Sequence, residues 1–178
     1  MSYSETATRI LDTAERVARQ GGYNAFSFRD IAAEIGIKSA SVHYHFPTKE
    51  DLGAALADRY TDRFLGALGA PEDADVKTMV TRYIDACAHA LKVDGLMCLC
   101  GMFGAEIEQL PSPVARKTRA FFERNLAWLA AVYLAGGHTA AQSNQAAARL
   151  IATTEGAMIL ARAMDDHSLF DSVTADLT

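Results

Sequence analysis

A chain of 178 residues, half of them hydrophobic, is long enough to bury a real core and too apolar to be mostly disordered. No apolar run approaches the ~20 residues that span a bilayer, and three cysteines, an odd number, do not make a disulfide framework. The net charge of −5 excludes a diffuse basic field for nucleic acid: residues 1–52 hold six Lys/Arg against seven Asp/Glu, and residues 53–178 hold eleven against fifteen.

The opening MSYSETATR has no basic region followed by an apolar stretch, so no secretory signal is expected and the thiols are expected free in a reducing cytoplasm. The spacing of Ile10, Ala14, Val17 and Ala18 predicts a first helix from about Ser4 to Gln20, stopped by Gly21-Gly22. Tyr23, Phe26 and Phe28 are expected to fill the gap that follows. Ser27 with Asp30 is a capping signal for a second helix carrying Ile31, Ala32 and Ile35, and Gly36 stands where that helix must stop. A third, short helix runs from about Ser39 to His45 with Val42 as its inward anchor, and Pro47 ends it. Thr48 with Asp51 then caps a fourth helix, about Lys49 to Leu68, with Leu52, Leu56, Tyr60 and Phe64 at helical spacing. A small residue at the crossing (Ala32), a glycine in the turn and a β-branched anchor in the next helix are the requirements of a helix-turn-helix.

The remainder also reads as helical. Gly69 to Asp73 is a loop. A fifth helix is expected over about Ala74 to Val93, a sixth over about Met97 to Gln109, and a seventh over about Pro113 to Leu134 with Ser112 as its cap. The seventh has two apolar stripes, Phe122, Leu126, Leu129 and Tyr133 beside Phe121, Trp128 and Val132, which predicts cover on two sides. An alanine-rich eighth helix runs from Thr139 to about Met164, and residues 165–178 are expected to form one weak turn or helix and then fray. The fold class expected is all-α: a helix-turn-helix domain at 1–48, and a ligand-binding and dimerisation bundle at 49–178 whose residues 49–68 form the connecting helix.

The stretch FSFRDIAAEIGIKSASVHYHFPTKEDL, residues 26–52, resembles the N-terminal signature of the tetracycline-repressor (TetR) family of bacterial transcription regulators. It departs in two places: Lys38 stands where the family often has a capping Ser, so Ser39 is expected to cap one residue late, and His43 stands at the first Tyr of the Tyr-x-His-Phe ending. The resemblance implies a ligand-responsive regulator, most often a repressor released from its operator by a small apolar or aromatic molecule. It implies phosphate contacts from Tyr44 and Lys49 and a contact from Arg29. The residues themselves add Lys38 as a basic contact, and Ser39, Ala40, Ser41, His43 and His45 on or beside the third helix. Ser and His hydrogen-bond base edges, and Ala meets a thymine methyl. One such unit reads only a few base pairs, so the partner expected is a near-palindromic duplex bound by a homodimer.

Dimerisation is expected through the seventh and eighth helices at Trp128, Val132, Ala152 and Gly156. Met adapts its shape to apolar ligands, so Tyr83, Met97, Met102, Phe103, Phe122, Leu126 and Met158 are the expected pocket lining. Cys98, at the start of the sixth helix, is a redox candidate, since a helix N-terminus favours thiolate. A thiol- or metal-dependent sensor using Cys87, Cys98 and Cys100 is the alternative function, although C-x-C spacing is not the usual zinc pattern. No phosphate loop, nucleophile elbow or metalloprotease signature is present, so neither enzyme activity nor a cofactor nor a resident metal is expected, and no membrane partner.

Overall fold

The computed structural model describes residues 3–177, and among them are nine α-helices and no strand. These are α1 (Glu5–Gly21), α2 (Phe28–Ile35), α3 (Ser39–His45), α4 (Lys49–Leu68), α5 (Val76–Lys92), α6 (Leu99–Ala105), α7 (Ser112–Ala135), α8 (Ala140–Ala163) and α9 (Ser168–Thr174). None is long and apolar enough to cross a membrane. The chain divides into two compact units: the described part of Met1–Thr61 with Leu99–Phe121, and Asp62–Cys98 with the described part of Phe122–Thr178. This packing division falls elsewhere than the functional one expected at residues 48 and 49, because 99–121 packs with the N-terminal helices.

Local sequence sets the helix starts of the first unit. The Ser4 hydroxyl accepts the Ala7 N–H and the Ser27 hydroxyl the Asp30 N–H. Thr48 and Asp51 cap each other reciprocally: Thr48 Oγ1 accepts the Asp51 N–H, and Asp51 Oδ2 accepts the Thr48 N–H, both at 3.1 Å. α2 ends on Gly36 in the left-handed region (φ 72°), and the Ile37 N–H reaches back to Ala32 O at 2.9 Å. Ile10, Leu11, Ala14, Ile31, Ala32 and Val42 are all buried where α1, α2 and α3 meet. Arg16 bonds both Glu34 oxygens at 2.7 Å, and Arg59 of α4 donates to Asp12 and Glu15 of α1 at 2.8 Å. The segment 99–121 adds Phe103, edge-on to Tyr23 at 5.9 Å, and Phe121 against Tyr60 at 5.7 Å. Lys117 reaches Asp58 at 2.7 Å.

In the second unit Tyr83 is stacked on Trp128 (6.4 Å, 29°) and met edge-on by Phe64 at 5.3 Å. Trp128 Nε1 donates to Gly69 O at 2.9 Å. α8 opens with a full capping box between Thr139 and Gln142. One element differs from expectation. The sixth helix is shorter, Leu99–Ala105, followed by a 3-10 turn at Ile107–Gln109; Gly101 and Gly104 weaken its interior, and the Glu106 side chain leaves for Tyr23. The C-terminal segment is a defined helix, α9, because Phe170 is fully buried and Asp171 pairs with Lys92.

Glu155 of α8 hydrogen-bonds Cys98, and its charge acts on Tyr83 and Cys87 of α5. Burial pushes the Glu155 carboxyl above its usual range, and the Cys98 hydrogen bond opposes that only in part.

Two stability outcomes follow from these observations. A Cβ at Gly36 meets nothing within 4 Å, so the cost of Gly36→Ala is backbone strain alone; urea unfolding should show a loss of about 1–2 kcal/mol, and less for Gly36→Asn, which tolerates the left-handed region. A carboxyl whose pKa is raised on folding favours the folded state most below its unfolded value of 4.5, and that contribution is lost as pH rises through the folded value. Glu155→Gln should therefore raise the urea midpoint at neutral pH and flatten the decline in stability above about pH 4.5, measured as midpoint against pH.

Candidate nucleic-acid interface

α3 has only seven residues, and an isolated helix of that length is unstable in water. It is held by Val42, completely buried, and by Phe46 just beyond its end. With Val42 turned inward, the rest of the helix faces out. Ala40, His43 and Tyr44 are exposed, Ser39, Ser41 and His45 are half-exposed, and Tyr44 reaches 84%. An aromatic ring that bare is not explained by the core, which makes it the prominent feature of this surface.

The individual side chains are placed as follows. Arg29 projects from α2 with 92% of its side chain exposed, 4.0 Å from Asp30. Lys38, also exposed, is the residue before α3 and gives no side-chain cap. Ser39 is the first helical residue and not the cap, which corrects the expectation of a late Ser cap; the first N–H groups of α3 are left without a side-chain acceptor. The His43 ring packs edge-on against Phe28 at 4.7 Å, and its Nδ1 lies 3.3 Å from Pro47 O. A carbonyl can only accept, so in the neutral ring this contact places the proton on Nδ1 and leaves Nε2 as the acceptor. Tyr44 and His45 meet edge-on at 5.2 Å. Lys49, the first residue of α4, is half-buried, with its ammonium 4.6 Å from the centre of the Tyr23 ring and 4.8 Å from that of Phe26. Burial lowers its pKa, and the Glu106 charge works in the opposite direction.

Residues expected to bind ligand are not brought together in one unit. Met102 and Phe103 belong to the first, and Tyr83, Met97, Phe122, Leu126 and Met158 to the second. Phe103, Tyr83 and Met158 are fully buried core, while Leu126 is exposed. A cleft of about 530 Å³ in the second unit is lined by Glu72, Ala74, Asp75, Val76, Lys77, Val132, Ala135 and Gly136, and Val132 is its one overlap with the residues expected to be functional. Trp128 and Val132 are buried within their own unit rather than presented outward. Of the expected dimer residues, Ala152 is exposed and Gly156 is half-exposed with open space beyond it. Sequence reasoning did not single out the exposed Ile159, Leu160 and Met164, which continue that face of α8; their spacing from Ala152 and Gly156 was the available signal.

All three cysteines are free and buried. Cys98 precedes α6 but is covered, and hydrogen-bonded to Glu155. Burial drives the Cys87 thiol far up, away from thiolate. Among the described residues, no group of three or more His, Cys, Asp or Glu is placed to hold a metal.

Residues 10–56 match the family model described as bacterial regulatory proteins, tetR family. Two curated repressors are similar over part of their length. ComR of Escherichia coli K12 is 34% identical over 82 residues, 44% of this chain and 39% of that protein. DhaR of a Mycobacterium species, strain GP1, is 26% identical over 127 residues, 70% of this chain and 63% of that protein. The chain thus matches less than two thirds of either curated relative. A solved TetR transcriptional regulator from Legionella pneumophila is similar over nearly everything: 36% identical, 99% of this chain, 97% of that one, TM-score 0.92. With 36% identity over nearly the whole of both chains and a family model matching its N-terminal part, this chain belongs to the TetR family of transcriptional regulators.

Proposed function

We propose that this protein is a homodimeric repressor, acting in the cytoplasm, that holds a near-palindromic duplex through residues 1–48 and is released by a small apolar or aromatic molecule bound within residues 49–178. The observation that carries the DNA arm is the outer face of α3, where Ala40, His43 and Tyr44 stand in solvent on a helix pinned by Val42. Ser39, Ser41, His43 and His45 supply hydrogen bonds to base edges, with His43 Nε2 suited to an exocyclic amino group. Tyr44, Lys38 and Arg29 meet phosphate on either side, joined by Lys49. With so few positive charges, accurate placement replaces bulk attraction. Two relatives named as repressors support the direction of control.

The dimer is formed by the exposed face of α8, where Ala152, Gly156, Ile159 and Ala163 follow a helical stripe beside Leu160 and Met164. Small residues there allow a second helix to approach closely. The effector acts by population shift: it binds one conformation more tightly, and α4, one continuous helix from Lys49 to Leu68, carries that preference to the DNA-contacting end. A coupling of about 1–3 kcal/mol is typical. The thiol-sensor reading has no comparable support, since Cys87 and Cys98 are covered and Glu155 adds negative charge beside them.

Two measurements test this. Tyr44→Ala should weaken binding to a duplex selected from a random pool by about tenfold, the loss of one hydrogen bond to a charged group, and leave the urea midpoint unchanged because the ring is exposed. Unchanged affinity would count against the α3 face. Ile159→Arg should convert dimer to monomer in sedimentation at micromolar protein while keeping helical content, since a guanidinium on that stripe meets its own copy across a two-fold axis.

A further inference from the structure

His43 stands where the TetR ending usually has its first Tyr, and its ring is held from two sides. It packs edge-on against Phe28 at 4.7 Å, and Phe28, the first residue of α2, is itself buried. Its Nδ1 lies 3.3 Å from the carbonyl oxygen of Pro47. That carbonyl is not free to turn. The peptide that carries it ends in the Thr48 N–H, which donates to Asp51 Oδ2 at 3.1 Å, and the pyrrolidine ring fixes φ of Pro47 itself. In water a free neutral imidazole carries its proton mostly on Nε2. A fixed carbonyl at Nδ1 reverses this, because it accepts and cannot donate. Nε2, the second ring nitrogen, is left as an acceptor on a residue that remains exposed.

We propose that His43 is a specificity-determining residue: Phe28 and the Pro47 carbonyl hold its ring in the tautomer that accepts at Nε2, so that α3 selects an amino-bearing base, cytosine or adenine, on the strand His43 faces. The proposal rests on the reading of α3 as the helix that enters the major groove. There cytosine N4 and adenine N6 donate, whereas guanine O6 and N7 and thymine O4 accept. A neutral histidine in the other tautomer would donate from Nε2 and favour guanine or thymine. The turn after α3 thus sets which bases the helix reads: the Thr48–Asp51 cap fixes a peptide, the peptide fixes a proton, and the proton decides the base. Phe28 and Asp51 are positioning residues in this arrangement, since both act through His43 or the carbonyl it meets.

Two experiments test it, one without DNA. The ring nitrogens of the wild-type chain are read by 15N NMR at about pH 8.5, where imidazoles are neutral. His43 should show a protonated Nδ1 and a bare Nε2; the opposite pattern, or the mixture of a free imidazole, overturns the proposal and leaves the DNA reading standing. For the second, duplexes are selected from a random pool with wild type and with His43→Phe, which keeps an aromatic ring beside Phe28 and removes both nitrogens. The wild-type pool should favour cytosine or adenine at one position of each half-site, and the variant pool should lose that preference while keeping the others. Exchanging the two bases of that pair should weaken wild-type binding at least about fivefold, the low end for one mismatched pair, and leave His43→Phe binding unchanged. Should His43→Phe not fold, His43→Ala takes its place. Pools that differ at no position, a position that favours guanine or thymine, or an exchange that costs wild type and variant alike each overturn the proposal. A wild-type pool with no sequence preference at all removes the DNA reading, and the proposal with it.

Discussion

The surface that reads as functional depends on one small packing event, the insertion of Val42 beneath a seven-residue helix. Such a helix has almost no stability of its own, so its position is borrowed from α1 and α2. The loan works because Gly36 takes the left-handed turn that aims α3 across α2, and because Ala32 is small enough to let the two cross. Arg9 donates to Ile35 O at 2.7 Å and Arg16 grips Glu34, which ties the last turn of α2 to α1 just before the corner. Val42 and Ala32 face inward, and Ala40, His43 and Tyr44 face outward.

The same economy explains the charge. Arg9, Arg16 and Arg59 are committed to contacts inside the first unit, and Arg19 lies 3.8 Å from Glu15 and 5.6 Å from the centre of the Tyr60 ring. The positive groups left at the α2–α3 end are few, and acidic residues serve as caps: Asp30 beside Ser27, Asp51 with Thr48. An acidic protein built in this way gains little non-specific attraction to a polyanion, and its discrimination rests on geometry.

What the chain revealed in advance was whatever is decided locally. The caps at Ser27 and Thr48, the stop at Gly36 and the anchor at Val42 involve residues within a few positions of one another, and the structure has them as expected. The direction of α7 was not legible. Both of its stripes are apolar, and only the packed fold shows that Trp128, Leu129 and Val132 turn inward while Leu126 and Leu134 are left outside. Nor was the role of segment 99–121, because nothing near Glu106 in sequence points to Tyr23. What holds α9 in place was hidden for the same reason: Phe170 and Asp171 find their partners far away in the chain.

The discontinuous make-up of the first unit bears on how this protein can be taken apart. A fragment ending after α4 would carry the whole corner yet lose Phe103, Val114 and Phe121, leaving Tyr23 and Tyr60 bare on one side. Grafting the N-terminal helices onto a foreign effector domain therefore transfers the reading head without its backing plate, and a functional chimera has to bring residues 99–121 along or supply an equivalent apolar cover.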